Sequence, residues 1–186
     1  MRAFIAIELA DPIKRALGKL QERLSRECSG LRWVKPEQIH LTLAFLGEIK
    51  DSQIVEISGA VGRATASCAD FEFGVEGLGV FPPRGRVNVV WAGVADEAGA
   101  LSACHQRLYE QLGELGFTPD RGNFAPHLTL ARVRDPRASH GLREIIAAQA
   151  APRIGTQPAG GLTFFESILG SSGPQHRALS HHKLSG

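Results

Sequence analysis

The run His40-Leu41-Thr42-Leu43-Ala44-Phe45 returns later in the chain as His127-Leu128-Thr129-Leu130-Ala131-Arg132. Five identical residues written twice constrain the fold more than any other feature, because both copies need equivalent surroundings. Leu, Thr and Phe suit a pleated surface and the apolar positions recur with period two, so each copy reads as a short β-strand. Alternation places His40, Thr42 and Ala44 on one face, and His127, Thr129 and Ala131 on the equivalent face, while the leucines enter a core. If the two strands meet across a cleft, one base, one acid and two hydroxyl donors converge on a single small group.

An isolated histidine on a strand is ordinarily a surface or hydrogen-bonded core residue, and an isolated threonine an ordinary β-former. Repetition in the same local frame is what turns His40, Thr42, His127 and Thr129 into candidates for chemistry. An imidazole titrates at about 6.5, so one copy can be neutral while the other is protonated near neutral pH. Splitting a phosphodiester without a metal needs a general base on the attacking oxygen, a general acid on the leaving oxygen, and donors on the non-bridging oxygens. The two pairs supply that set.

At these residues the chain resembles the two-histidine (2H) phosphoesterase superfamily, and within it the bacterial and archaeal branch called RNA 2′,3′-cyclic phosphodiesterase or 2′-5′ RNA ligase. The likeness extends, in order, to Met1-Arg2-Ala3-Phe4-Ile5-Ala6-Ile7, Trp33-Val34-Lys35-Pro36-Glu37, Gly77-Leu78-Gly79-Val80-Phe81-Pro82, Val90-Trp91-Ala92-Gly93-Val94, Phe124-Ala125-Pro126, Ser167-Ile168-Leu169 and Gly173-Pro174. The resemblance implies a bilobal fold with pseudo-twofold symmetry. It implies His40 as general acid and His127 as general base, with Thr42, Thr129 and Arg132 on the phosphate and Phe45 stacked on a base. It also implies metal-independent hydrolysis of an RNA 2′,3′-cyclic phosphate to a 2′-phosphate, with the reverse 2′-5′ ligation open to the same groups. No cofactor is expected.

Strict alternation disagrees with part of this, since it places Phe45 and Arg132 on the face opposite their histidines. A bulge or twist at the fifth or sixth motif position would reconcile the two readings, because bulges re-aim side chains beside active sites. The remaining histidines, His105, His140, His176, His181 and His182, lack the motif frame and read as non-catalytic.

At 186 residues and 43% hydrophobic content the chain fits one compact domain. The apolar start is interrupted by Glu8 and no run approaches about 20 apolar residues, so a cytoplasmic protein without a membrane partner is expected. Cys28, Cys68 and Cys104 are scattered without C-x-x-C spacing and read as reduced, buried thiols. Of 21 basic residues 16 are Arg, a side chain suited to bidentate phosphate contact, although a GC-biased genome is the better explanation of that choice. Arg84 and Arg86, and Arg132, Arg134 and Arg137, form the clusters best placed for RNA contact. The expected partner is RNA with a 2′,3′-cyclic phosphate end, tRNA fragments among the candidates, with no obligate protein partner.

Apolar spacing predicts a strand near 2–9, a helix opened by Asp11-Pro12 and carried by Ile13, Leu17, Leu20 and Leu24, a motif strand at about 39–46 ended by Gly47, and a helix through Ile54, Ile57, Val61 and Ala64. Strands near 71–80 and 86–94, a helix from Leu101 to Leu115, the second motif strand at about 126–133, a helix through Leu142 and Ile146, and a last strand at Leu162–Leu169 follow. The order strand, helix, motif strand, helix thus occurs twice. It predicts an α+β fold of two lobes, interleaved in sequence, with mainly antiparallel sheets and outer helices around a central cleft, in one domain over residues 1–186 with 180–186 as a flexible tail.

Three other readings compete. Another 2H enzyme would act on a free cyclic nucleotide, an ADP-ribose cyclic phosphate or a 2′-5′ oligonucleotide, a choice that lies in loops. A non-catalytic module reading RNA ends would keep Arg132 and Phe45 but has no need of both histidines. A metal-dependent phosphoesterase would need carboxylates beside the histidines, and neither motif contains one.

Overall fold

A computed structural model describes residues 1–118, 124–170 and 173–185. In chain order they form β1 (Arg2–Glu8), α1 (Asp11–Ser25), β2 (Leu31–Trp33), β3 (His40–Glu48), α2 (Ile54–Ala66), β4 (Phe71–Phe81), β5 (Val89–Ala95), α3 (Ala100–Gly113), β6 (His127–Val133), α4 (Leu142–Ala148), β7 (Arg153–Ala159), β8 (Gly161–Gly170) and β9 (Gly173–Lys183). The strands build one antiparallel sheet in the order β7-β4-β5-β6-β3-β1-β8-β9, with β2 added beside β6. The sheet curls into a half-barrel.

The two expected lobes are the halves of this sheet. The motif strands β3 and β6 meet at its centre, and each carries three further strands outward: β1, β8 and β9 on one side, β5, β4 and β7 on the other. Among the described residues the strands of the two halves pair only at Leu41 and Leu128, and outside the strands a parallel bridge joins Ala69 to Ser185. From Ala131 to Val133, β2 replaces β3 as the neighbour of β6. Strand-to-strand pairing of the halves is therefore confined to the point where the two histidine motifs lie side by side.

One face of the sheet is covered by the helices. Ile13, Leu17, Leu20 and Leu24 of α1, Ile57 and Val61 of α2, Leu101, Leu108 and Leu112 of α3, and Leu142 and Ile146 of α4 join Ile5, Leu41, Leu43, Leu128 and Leu130 of the strands in a single core. Their spacing of three and four residues is the helical stripe read from the sequence. On the opposite face Phe4, Ala6 and Phe165 form a separate small apolar cluster, which becomes the floor of the cleft. No helix among the described residues is long and apolar enough to cross a membrane. All three cysteines are free and buried.

Several local features differ from the sequence reading. Ala10, not Asp11, caps α1; Asp11 and Pro12 are its first two helical residues, and the Ala10 N–H donates to Gln157 Oε1 of β7 at 2.9 Å. Gly47 does not end the first motif strand, which continues to Glu48. Strands β2, β7 and β9 lie where the periodicity gave none. Residues 180–185 are not a tail: Ser180 to Lys183 complete β9, Leu184 is buried, and the Ser185 N–H donates to the Cys68 carbonyl. Polar composition there reflects an edge strand whose outer side faces solvent. Gly186 lies outside the described residues.

Candidate active site

The two histidines are held in the same way. His40 Nδ1 lies 2.8 Å from the carbonyl oxygen of Gln38, and His127 Nδ1 lies 2.8 Å from that of Ala125. A carbonyl oxygen only accepts, so each Nδ1 carries the hydrogen, and each Nε2 is the atom left to take or give a proton. The partner stands two residues upstream in both copies, so the repeat extends beyond identity of sequence to identity of tautomer.

Antiparallel pairing at Leu41 and Leu128 places His40 level with Thr129, and Thr42 level with His127. Each imidazole therefore has the hydroxyl of the other motif as its cross-strand neighbour. Both threonines are half-buried on the face away from the core leucines.

The fifth and sixth positions settle the conflict over Phe45 and Arg132. The register between β1 and β3 passes from Ile5–Ala44 to Ala6–Thr42, and that between β5 and β6 from Val90–Ala131 to Trp91–Thr129. Leu43 and Leu130 are thus extra residues at the same place in each motif. Burial agrees: Leu43 and Ala44 are consecutive buried residues, as are Leu130 and Ala131. Each bulge reverses the alternation and turns the sixth residue to the histidine side. Phe45 is 60% exposed, with its ring 6.4 Å from Phe4, which in turn stacks on His40. Arg132 is exposed and close enough for its charge to act on His40.

Aromatic rings brace each imidazole. Phe4 of β1 stacks on His40 with centroids 4.8 Å apart, and Phe81 of β4 meets His127 edge-on at 4.8 Å. Trp91 of β5 stands 6.4 Å from His127 and covers Gly79, where a Cβ would run into the indole. On the His40 side, His176 of β9 meets His40 edge-on at 5.0 Å and Phe4 at 4.9 Å. His176 therefore belongs to the cleft although it has no motif frame. A cavity of about 160 Å³ opens beside His40, lined among others by Glu8, Gln38, Phe165 and His176.

Burial pushes the His40 imidazole down to about 4; the Gln38 carbonyl and Glu8 oppose this, while His176 and Arg132 add to it. In the free protein near neutral pH His40 is neutral. Among the described residues no three His, Cys, Asp or Glu side chains converge as a metal site.

Sequence reading missed Phe4, Phe81, Trp91, His176 and Arg32 as residues of this face. Arg32 of β2 is the cross-strand partner of Arg132 and shares its side of the sheet. It also lies against Gly173, where a Cβ would meet the guanidinium. Its neighbour Trp33 belonged to the recognised lead-in, but a three-residue strand leaves no periodicity from which to assign a face. His176 could have been found only by pairing β9 with β8, a register that its polar composition does not announce.

Comparison with known proteins bears on the same halves. The family model described as LigT like Phosphoesterase matches residues 7–91 and 93–175, one histidine motif in each segment. An RNA 2′,3′-cyclic phosphodiesterase of Archaeoglobus fulgidus is 33% identical over 179 residues, 96% of this chain and 98% of the relative. One of Aeropyrum pernix is 31% identical over 165 residues, covering 88% and 92%. Among solved structures, a protein of Thermus thermophilus superposes with a TM-score of 0.82 at 27% identity, covering 99% of this chain and 98% of that one. Escherichia coli LigT in its apo form gives 0.78 at 23% identity over 100% and 98%. Matched in both halves and along nearly its whole length, the chain belongs to the LigT-like phosphoesterases of the two-histidine superfamily.

Proposed function

We propose that this protein hydrolyses RNA 2′,3′-cyclic phosphate ends to 2′-phosphates, with two histidines and no metal. The observation that carries the reading is the paired orientation of His40 and His127: each Nδ1 is committed to a carbonyl, and each Nε2 is left for proton transfer beside the other motif's threonine. The relatives' shared activity supports the choice of substrate.

In the proposed reaction a water molecule attacks phosphorus in line with the P–O3′ bond while His127 Nε2 takes its proton. The P–O3′ bond breaks and His40 Nε2–H protonates O3′, leaving a 2′-phosphomonoester and a free 3′-hydroxyl. Thr42, Thr129 and Arg132 bind the non-bridging oxygens, where charge accumulates. Phe45 stacks on the base. A 5′-hydroxyl in place of water would form a 2′-5′ linkage with the same groups. RNA fragments such as those of tRNA as substrates, a cytoplasmic location and independence from an obligate protein partner belong to this reading.

The neutral state of free His40 supports a second assignment, in which His40 is the base and His127 the acid. For His40 to act as the acid, the anionic phosphate must raise its affinity for a proton on binding. A substrate panel tests the reaction itself: RNA cyclic phosphate, free cyclic nucleotides and 2′-5′ oligonucleotides, assayed with and without a chelator. Preferred turnover of the RNA cyclic phosphate, unchanged by EDTA, is expected. A loss of more than about tenfold restored by Zn²⁺ or Mn²⁺ would remove the two-histidine mechanism.

A further inference from the structure

Beyond the cleft, at the Arg132 end of β6, two loops carry four exposed arginines. Arg84 and Arg86 lie in the segment joining β4 to β5, and Arg134 and Arg137 follow β6. Both segments start beside the cleft: Phe81, against His127, leads directly into the first, and Arg132 is two residues before Arg134.

The first loop is held in place by a guanidinium directed at its backbone. Arg143 of α4 donates from Nη1 to the carbonyls of Pro82 (3.2 Å) and Pro83 (2.7 Å), and from Nη2 to that of Gly85 (2.8 Å). The Val87 N–H donates to Ser139 Oγ at 2.8 Å, tying this loop to the turn after Arg137. The Arg134 N–H reaches the Gly30 carbonyl. A cavity of about 550 Å³ lies between the two segments, with Arg86, His140 and Arg143 on its walls.

What sets this edge apart is that four exposed arginines stand together beside the cleft, with no carboxylate paired to them among the described residues. Among the described residues Arg84, Arg86, Arg134 and Arg137 make no ion pair, in common with most basic side chains of the molecule; Arg2, Arg63 and Arg177 are the arginines paired with a glutamate. The nearby acids are Asp135, which accepts the Arg137 N–H, and Glu144, which lines the cavity. Pinned backbone with unpaired guanidinium groups is the arrangement that binds a row of phosphates without reading bases.

We propose that this ledge binds the phosphodiester backbone of the RNA strand upstream of its cyclic end. The inference rests on the proposed function for its choice of ligand but is measured separately from turnover. Anisotropy of a labelled hexaribonucleotide ending in a 2′-phosphate gives Kd over a range of salt for wild type, R84Q/R86Q and R134Q/R137Q. These side chains are exposed, and thermal melts verify that the variants fold.

Each double variant should weaken hexamer binding by tenfold or more and flatten the slope of log K against log salt by about 1.4, two contacts at about 0.7 each for a single strand. R84K/R86K should retain the wild-type slope. kcat/KM on a 2′,3′-cyclic mononucleotide, which lacks upstream phosphates, should not change. Hexamer binding and salt slope equal to wild type in both glutamine variants would overturn the proposal. So would equal losses on the hexamer and the mononucleotide, because the arginines would then act on the reacting phosphate. Hexamer binding that responds as expected in a protein that opens no cyclic phosphate would keep the ledge and remove the proposed reaction; turnover with no such response would do the reverse.

Discussion

The carbonyls of Gln38 and Ala125 decide which nitrogen of each histidine is available, but not which histidine gives the proton and which takes it. A leaving group that needs no proton separates the roles. With sulfur in place of the bridging O3′, a thiolate departs unprotonated, so His40→Ala should recover most of the about 10² to 10⁴-fold it loses on the oxygen substrate, while His127→Ala should not. Rescue of His127→Ala instead would assign the roles the other way, as the neutral free His40 favours. For Arg132→Lys the charge survives but the planar pair of donors is lost, and activity should fall by about 10² or more on every substrate. Phe45→Leu should lower turnover of nucleotide substrates at unchanged melting temperature, because a ring 60% exposed adds little to the core. These two residues also mark where sequence reading stopped. Period-two alternation assigned them to the wrong side, and the extra residues Leu43 and Leu130 that correct it are leucines like their neighbours, with nothing in their chemistry to announce a bulge.

At the scale of elements, the bulge in β6 is supported from beneath. Gln21 of α1 is buried, and its Nε2 donates to the carbonyls of Val34 (2.7 Å) and Leu130 (3.0 Å), the second being the bulged residue itself. One helix thus fixes the turn of backbone that aims Arg132. Gln21→Leu leaves the Val34 carbonyl without this buried donor and should cost about 1–3 kcal/mol in denaturant unfolding. If Gln21 also positions Arg132, the Arg132→Lys penalty should shrink in the Gln21→Leu background; additive losses would limit Gln21 to stability. The helices and the two motif strands were legible because each buries one stripe or one face in a single core, and that demand writes a period into the sequence. Strands β2 and β9 bury no such face, and β7 buries only Gln157 and Ala159, one of them polar. β2 has three residues, β7 contains Gly155 and Pro158 at the sheet edge, and β9 opens with Gly173-Pro174 and runs through Arg, Ser and His. Their pairing is dictated by neighbours far away in sequence, which local pattern cannot express.

At the scale of the whole molecule, the two halves are alike in topology, and burial of histidines shapes the response to acid. Burial lowers the proton affinity of His40, and acts in the same direction on His105, His176 and His182. The folded protein therefore binds fewer protons than the unfolded chain where such groups titrate. For His40 the stabilisation is fully present above about 6.5, the unfolded value, and is lost as pH falls from there through about 4. The melting temperature should drop across that window, and the drop should be shallower for His40→Phe, which cannot titrate but can still stack on Phe4. An equal slope in the variant would assign the acid sensitivity to other groups.

Both histidine motifs, in this mechanism, act on one phosphate to open it toward the 2′ side. The most direct measurement is a chelator-treated reaction of an RNA 2′,3′-cyclic phosphate with wild type, His40→Ala and His127→Ala, its products resolved by ³¹P NMR. The expected result is a 2′-phosphate as the sole product of the wild type, near-complete loss of turnover in each variant, and retained binding of the 2′-phosphate product by both. A 3′-phosphate product, or either variant keeping more than about a tenth of wild-type activity, would contradict it.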